Sequence, residues 1–188
     1  MRNLSDTYYI HRILEGDTSC FACLLDKYSH SLFNLIYRIV GNKEDAEELT
    51  EDVFMKAFQQ LESFEGRGDF SNWLYKIAYN MSITAVRKKK IEFLAIDDFQ
   101  LTNASSDMLD ESADDTAAHH RQLEWLEKAL NALPADDRAL ILLFYKEGKN
   151  IEEIASISGL TVANTKVKLH RIRKKLGEII HEEKSKYL

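Results

Sequence analysis

Proline is nearly missing from this chain: Pro134 is the single one in 188 residues. Glycine is scarce too, with seven. Proline breaks a helix by losing a donor and clashing with the preceding turn, and glycine weakens it through backbone entropy. With so few of either, long helices are open to this sequence, while alternating β-branched runs that would mark strands are lacking. No apolar run approaches the ~18 residues of a membrane span, and the N-terminal MRNLSDTYYI lacks the apolar core of a signal peptide. A cytoplasmic location is expected. Cysteine is limited to Cys20 and Cys23, with no second Cys or His pair at a zinc-like spacing. His119 and His120 are adjacent, so on a helix they diverge. The cysteines lie in an apolar helical pattern and are expected as core filler. There is no Gly-rich phosphate loop and no nucleophile with an evident base, so neither an enzyme nor a cofactor is expected.

What the chain does have is 45% hydrophobic residues, ordinary for a folded protein, and a charge that is unevenly spread. The net charge of −6 argues against a nucleic-acid partner only until it is divided along the sequence. Residues 1–90 balance at −1. Residues 91–118 hold eight acids and no lysine or arginine, and residues 119–188 balance at +3. The acidic stretch keeps no long apolar period, and its Asp/Ser/Ala mixture is coil chemistry. The expected fold is all-α: two small helical domains, 1–90 and 119–188, joined by an acidic linker, 91–118. A linker of this charge is placed to compete with DNA for the basic C-terminal domain and keep the free chain closed.

Periodicity fills in the helices. Phe21, Leu24, Leu25, Tyr28, Leu32, Leu35, Ile36 and Ile39 recur at three- and four-residue steps, the stripe of an amphipathic helix. Asp17 or Thr18 is placed to cap its start and Gly41 to end it. A short helix, 6–15, precedes it. The next begins after Asn42, with Glu44 and Asp45 at the positive end of its dipole, and buries Ala46, Leu49, Val53, Ala57 and Leu61. After a glycine-bearing break at 65–69, a fourth helix over 71–90 packs Leu74, Ile77, Ala78, Met81 and Ala85. In the second domain Leu123, Leu126, Leu130 and Leu133 form a stripe that Pro134 ends. Helices over 136–145, 151–157 and 161–180 complete a four-helix unit.

The last two of these read as a helix-turn-helix. Ile151, Ile154 and Ala155 give the first a small apolar face, and Gly159 stands where the tight turn demands positive φ. The second buries Thr165, Leu169, Ile172 and Leu176 and turns Lys166, Lys168, His170, Arg171, Arg173, Lys174 and Lys175 outward. Seven cationic or titratable groups in ten residues exceed what a helix end needs to complement its dipole. In such motifs the first turns of the second helix read base edges. Ala163, Asn164, Lys166 and Lys168 are therefore assigned to the groove, with Val167 a thymine-methyl contact. Arg171, Arg173 and Lys174 are assigned to phosphates.

Two further patterns admit two readings each. In the fourth helix, Trp73, Tyr75, Tyr79 and Asn80 are interleaved with Lys76, and Arg87-Lys88-Lys89-Lys90 ends it. Aromatics beside cations suit unpaired bases, but Trp73 in the core and lysines at a helix C-terminus would give the same pattern. In the third helix Asp45, Glu48, Asp52 and Lys56 share an outer face near Phe54 and Met55. A solvated charged face is one reading. Docking of a basic partner protein, with Phe54 and Phe58 partly exposed, is the other.

Longer motifs add specificity. DAEELTEDVFMKAF (Asp45 to Phe58), GRGDFSNWLYKIAYN (Gly66 to Asn80) and RKKK (Arg87 to Lys90) resemble the second conserved region of extracytoplasmic-function sigma factors. LNALPADDRALILLFYKEGKNIEEIA and GLTVANTKVKLHRIRKKL resemble their fourth region. The resemblance covers nearly all the chain outside the acidic stretch, in the family's order. It implies a sigma subunit that binds core RNA polymerase and promoter DNA, both duplex and melted. The helix matching Asp45 to Leu61 docks on the polymerase clamp helices, through Asp45, Glu48, Leu49, Asp52, Phe54, Met55 and Phe58. The loop matching Glu65 to Asn72 and the helix after it capture a flipped base of the minus-ten element. Gly68, Asp69, Phe70, Ser71, Trp73, Lys76, Tyr79, Asn80, Arg87 and Lys88 fall in that part. The fourth region reads the minus-thirty-five duplex, His170 included among its contacts, and touches the polymerase flap. An anti-sigma partner is also implied, and a monomer when free. The chain departs from the family pattern in having Glu51-Asp52 for Gln-Glu, Phe58 for Trp, Tyr79 for an Arg before Asn80, and Val167-Lys168 for Ser-Arg. Lysine lacks arginine's planar two-pronged contact, so promoter preference does not carry over. From the residues alone, the competing class is a stand-alone helix-turn-helix regulator with an N-terminal sensing or dimerisation domain.

Overall fold

A computed structural model of the chain describes residues 5–64, 68–96 and 116–185. Among them are eight α-helices and no strand. The first four form one unit: α1 (Asp6–Leu14), α2 (Phe21–Val40), α3 (Lys43–Gln59) and α4 (Phe70–Ile96). The second unit comprises α5 (Thr116–Asn131), α6 (Ala135–Tyr145), α7 (Ile151–Ser158) and α8 (Val162–Ser185). The break at 65–67 and the acidic stretch over 97–115 lie outside the described residues, and with them the expectation that the linker competes for the basic domain.

Within the first unit α2, α3 and α4 pack against one another, and the predicted stripe of α2 is buried except for Leu25, which is half-buried. Asn42 caps α3 as expected, its Oδ1 accepting from the Asp45 N–H at 2.9 Å. The start of α2 differs from expectation. A 3₁₀ turn at Thr18–Cys20 precedes it, and Asp17 makes no cap bond. Its carboxylate instead accepts from Ser19 Oγ (2.6 Å) and Arg12 Nη2 (2.9 Å), closing the corner from α1. Of the cysteines expected as core filler only Cys20 packs against the core, half-buried with its thiol 3.4 Å from Asp17 Oδ2, whereas Cys23 is exposed. Helix α4 runs six residues beyond its predicted end, through Ile96, and α5 begins at Thr116, so both ends of the expected linker are helical.

In the second unit α8 packs on α5, α6 and α7. The turn between α7 and α8 is made by Gly159 at φ +74°, a left-handed conformation that any other residue adopts with strain of about 1–2 kcal/mol. Thr165, Leu169, Ile172 and Leu176 are all buried, as their four-three-four spacing predicts. The stripe of α5 holds only toward its end: Leu123 and Leu126 are exposed, Leu130 is half-buried and Leu133 is buried, as is Ala129 beside the stripe. The two units also touch. Helix α6 packs on α2 and α4, α7 packs on α4, and the buried apolar side chains of both units form one continuous cluster.

Candidate nucleic-acid interface

Four-residue steps along a helix place side chains one above the other on one face. On α4 this puts Lys76, Asn80, Thr84 and Lys88 in a single row, and all four are exposed. A neighbouring row, Asn72, Tyr75, Tyr79 and Arg87, faces the second unit. Tyr75 and Tyr79 are only 4% and 7% exposed, so Tyr79 is not presented for stacking as its position in the motif suggested. Phe70 and Ser71 are buried as well. Phe70 belongs to an aromatic cluster with Tyr28, Phe64 and the half-buried Trp73, with ring centroids 5.6 to 5.9 Å from it. Asp69 caps α4, accepting from the Ser71 N–H at 2.8 Å. Gly68, at φ +120°, has the backbone freedom that the chain needs to enter the helix there. Of the residues assigned to the single strand, Gly68, Asp69, Lys76, Asn80 and Lys88 are therefore open and Arg87 is exposed but paired with Asp136, while Phe70, Ser71 and Tyr79 are covered and Trp73 is half-covered.

The covered row is held by polar contacts that sequence reasoning missed. Asn72 Nδ2 donates to Glu153 Oε1 at 2.9 Å. The Tyr75 hydroxyl donates to Glu147 Oε2. Asp136 Oδ1 accepts from both the Tyr79 hydroxyl and Arg87 Nη2, each at 3.2 Å. Lys149 Nζ donates to Ser71 Oγ at 2.5 Å and lies 4.9 Å from the Tyr75 ring centre. Burial, then the neighbouring carboxylate, pushes both tyrosine hydroxyls well above their ordinary pKa. They remain protonated donors at any physiological pH. Arg138, at the start of α6, donates to the Arg38 carbonyl of α2 and to the Asn131 and Leu133 carbonyls near the end of α5, each at 3.0 Å. Burial pulls its guanidinium below the usual arginine value, though an arginine still keeps its charge.

Glu153 serves two structures at once. With Asn150 it forms a capping box at the start of α7: Asn150 Oδ1 accepts from the Glu153 N–H and Glu153 Oε2 accepts from the Asn150 N–H. Burial works against its charge, but the Asn150 N–H, the Asn72 amide and the Lys149 charge outweigh it, so its carboxyl is held below the usual range. A carboxyl depressed by folding stabilises the fold above its unfolded pKa, about 4.3 for glutamate, and loses that stabilisation as pH falls through the folded value. Amide exchange at the first turn of α7 should therefore quicken as pH is lowered below about 4, after correction for intrinsic exchange. Glu153→Gln should flatten that dependence. An unchanged acid response in the glutamine variant would assign it to another group.

Helix α8 carries the residues that the motif assigns to the duplex. Thr161 Oγ1 accepts from the Asn164 N–H at 3.2 Å. Ala163, Asn164, Lys166, Val167, His170, Arg171, Arg173 and Lys174 are exposed. Lys168 is half-buried, its Nζ 3.1 Å from Asp137 Oδ1, and the Arg173 guanidinium stacks 4.9 Å from the Phe144 ring centre. The two are thus engaged within the second unit, whereas Lys166, His170 and Arg171 project from it.

The acidic face of α3 borders an open apolar groove of about 440 Å³ against α2, lined by Phe21, Leu25, Ser29, Thr50, Glu51, Phe54, Met55 and Phe58. Met55 and Phe58 are 55% and 40% exposed, but Phe54 is 5% exposed, so it forms the groove's wall and does not project. Glu48 is exposed, Leu49 and Asp52 are half-buried, and Asp45 is paired with Lys89 of α4.

Two helical units, the second ending in a helix-turn-helix with a basic second helix, define a two-domain DNA-binding protein of the sigma-70 class. Family models agree: Sigma-70 region 2 matches residues 24–91 and Sigma-70, region 4 matches residues 123–176. The chain is 30% identical over 178 residues to the ECF RNA polymerase sigma factor SigW of Bacillus subtilis (strain 168), covering 92% of this chain and 95% of that one. It is 27% identical over 177 residues to the ECF RNA polymerase sigma-E factor of Escherichia coli (strain K12), covering 90% and 91%. The solved structure of the sigma factor RpoE in complex with the anti-sigma factor NepR from Bartonella quintana matches with a TM-score of 0.71 at 27% identity, over 86% of this chain and 96% of that one. CnrH, solved with the cytosolic domain of CnrY, shares the fold, with a TM-score of 0.69 at 19% identity over 94% and 97%. The chain belongs to the extracytoplasmic-function family of RNA polymerase sigma factors. As such it binds core RNA polymerase and directs promoter recognition and transcription initiation, and a stand-alone regulator is not favoured. Sigma factors are in general specificity subunits, not enzymes. Among the described residues no helix is long and apolar enough to cross a membrane.

Proposed function

We propose that the two units grip one promoter at two points, and that the chain works in the cytoplasm without catalysing a reaction of its own. Helix α8 enters the major groove of the upstream element with Ala163, Asn164, Lys166 and Val167 at base edges and Arg171 on phosphate. His170, Arg173, Lys174 and Lys168 flank these contacts, Lys168 after release from Asp137. The row Lys76, Asn80, Thr84 and Lys88 on α4, exposed along its length, carries the single-strand half of this reading. It offers cations and an amide to a melted strand. Gly68 and Asp69 lie at its head, where a flipped base would enter, and Arg87 joins it when released from Asp136. Thr84 is an addition that the motif did not supply. Flipping a base costs a few kcal/mol, and strand contacts along this row offset it. The groove between α2 and α3, with Glu48 and Asp52 at α3's outer side, docks core polymerase.

An anti-sigma partner is also proposed. The match to RpoE extends over 86% of this chain, more than either unit alone, so both units superpose together on a sigma factor solved with its anti-sigma factor. Replacing Asn80 with alanine tests the strand assignment. Open-complex formation, followed by permanganate reactivity of promoter thymines, should fall by roughly tenfold, the scale of one lost base contact. Core binding should be unchanged. Wild-type reactivity in the variant would remove Asn80 from the interface.

A further inference from the structure

The face of α4 that looks toward the second unit is rich in donors, and each donor meets an acidic group. Asn72 gives its amide to Glu153, Tyr75 its hydroxyl to Glu147, and Tyr79 and Arg87 share Asp136. Arginine, tyrosine and asparagine side chains are the donors that proteins commonly use to hold nucleic-acid phosphates. A carboxylate matches a phosphate oxygen in charge and as an acceptor. The three acids come from one unit, at the first turn of α6, the turn after α6 and the first turn of α7. The row they cover lies beside the open row Lys76, Asn80, Thr84 and Lys88.

We propose that Asp136, Glu147 and Glu153 act as built-in phosphate surrogates: they latch the second unit over the strand-binding side of α4, so the free chain is self-inhibited for single-stranded DNA until the units separate. This rests on the reading of α4 as the strand-binding helix. The latch lies beside the apolar packing of α6 and α7 on α2 and α4, and its most exposed member, the Arg87–Asp136 pair with Arg87 68% exposed, is the kind that salt weakens. In the closed form Arg87 and Tyr79 are occupied, whereas Lys76 and Asn80 stay open. Strand binding is thereby reduced and not abolished, and a melted strand that has engaged the open row competes directly for the neighbouring donors.

The test uses the full chain with Asp136→Asn, Glu147→Gln and Glu153→Gln combined. Glutamine can keep the capping box at α7, and Asp136 makes no cap bond, since Pro134 occupies that position, so the helices should survive. Circular dichroism checks this, and Asp136→Asn alone serves as a second variant that leaves α7 untouched. Two readouts are needed: the radius of gyration by solution scattering, and affinity for a fluorescent single-stranded minus-ten oligonucleotide. The triple variant is expected to expand and to bind the strand about tenfold more tightly, with the single variant between it and wild type. An unchanged radius in both variants overturns the latch. Expansion without a gain in strand affinity overturns the inhibition. In that case Asn80→Ala in the open variant shows whether the strand-binding reading falls too: it does if strand affinity is again unaltered.

Discussion

Replacing Arg138 with alanine should lower the unfolding free energy by about 2–4 kcal/mol, a large share for one residue at a half-buried site. The reason lies in what its guanidinium serves. Helix ends leave their last four carbonyls without intrahelical partners. Arg138 donates at 3.0 Å to one such carbonyl on α2, that of Arg38, and to the Asn131 and Leu133 carbonyls where α5 ends. Positive charge at helix C-termini is also favourable. Alanine leaves three carbonyls to find water in a partly closed site and deletes the packing of the stem. Methionine keeps most of the stem and loses only the charge and donors, so it separates the two contributions. Lysine should fall between, because one ammonium cannot span carbonyls that a planar fork reaches together. Urea unfolding followed by far-ultraviolet circular dichroism gives the number. A loss under about 0.5 kcal/mol, the level of ordinary surface substitutions, would show that water replaces the guanidinium fully.

Arg138 also marks where the sequence stops being informative. Its partners lie up to 100 residues away, and no periodicity connects an arginine to carbonyls that distant. The same holds for Asn72 with Glu153 and Tyr79 with Asp136. Local order was readable because it depends on near neighbours: the Asn42 cap, the Gly159 turn and the four-three-four spacing of Thr165, Leu169, Ile172 and Leu176 all hold. Errors arose where composition replaced geometry. Cys23 precedes Leu24 by one residue, a rotation of about 100° on a helix, which carries it from the buried face to solvent. Leu123 and Leu126 lie at the right spacing, but burial is confined to the later part of the segment, at Ala129, Leu133 and, in part, Leu130. The candidate sites divide the same way. The exposed residues of α8 emerge from helix phase, as do Lys76 and Asn80. The covering of Tyr79 and Ser71 depends on a second unit that joins them across the acidic stretch.

Helix phase likewise leaves the groove between α2 and α3 as a question of partner, and there the largest functional effect is expected. Phe58→Asp should weaken binding to core polymerase by about 100-fold, because aromatic anchors at interface centres contribute about 2–4 kcal/mol when truncated and 1.4 kcal/mol is tenfold. The groove's exposed lining is almost entirely apolar, and a carboxylate placed there must be desolvated by whatever docks. Transcription should then fail at every promoter, while binding of the isolated upstream duplex stays as in wild type. Phe58 also contacts Phe21 edge-on at 5.0 Å, a contribution of about 0.5–1.5 kcal/mol, so part of the loss could arise from unfolding. Met55→Asp removes that ambiguity, for Met55 is more exposed and lies on the same groove. The acids beside the groove should behave differently. Reversing Asp52 to arginine should slow association and alter its salt dependence more than it changes dissociation, as charges at an interface rim do. If Phe58→Asp and Met55→Asp both bind core polymerase as wild type does, the docking surface lies elsewhere, and the groove is a packing defect between α2 and α3.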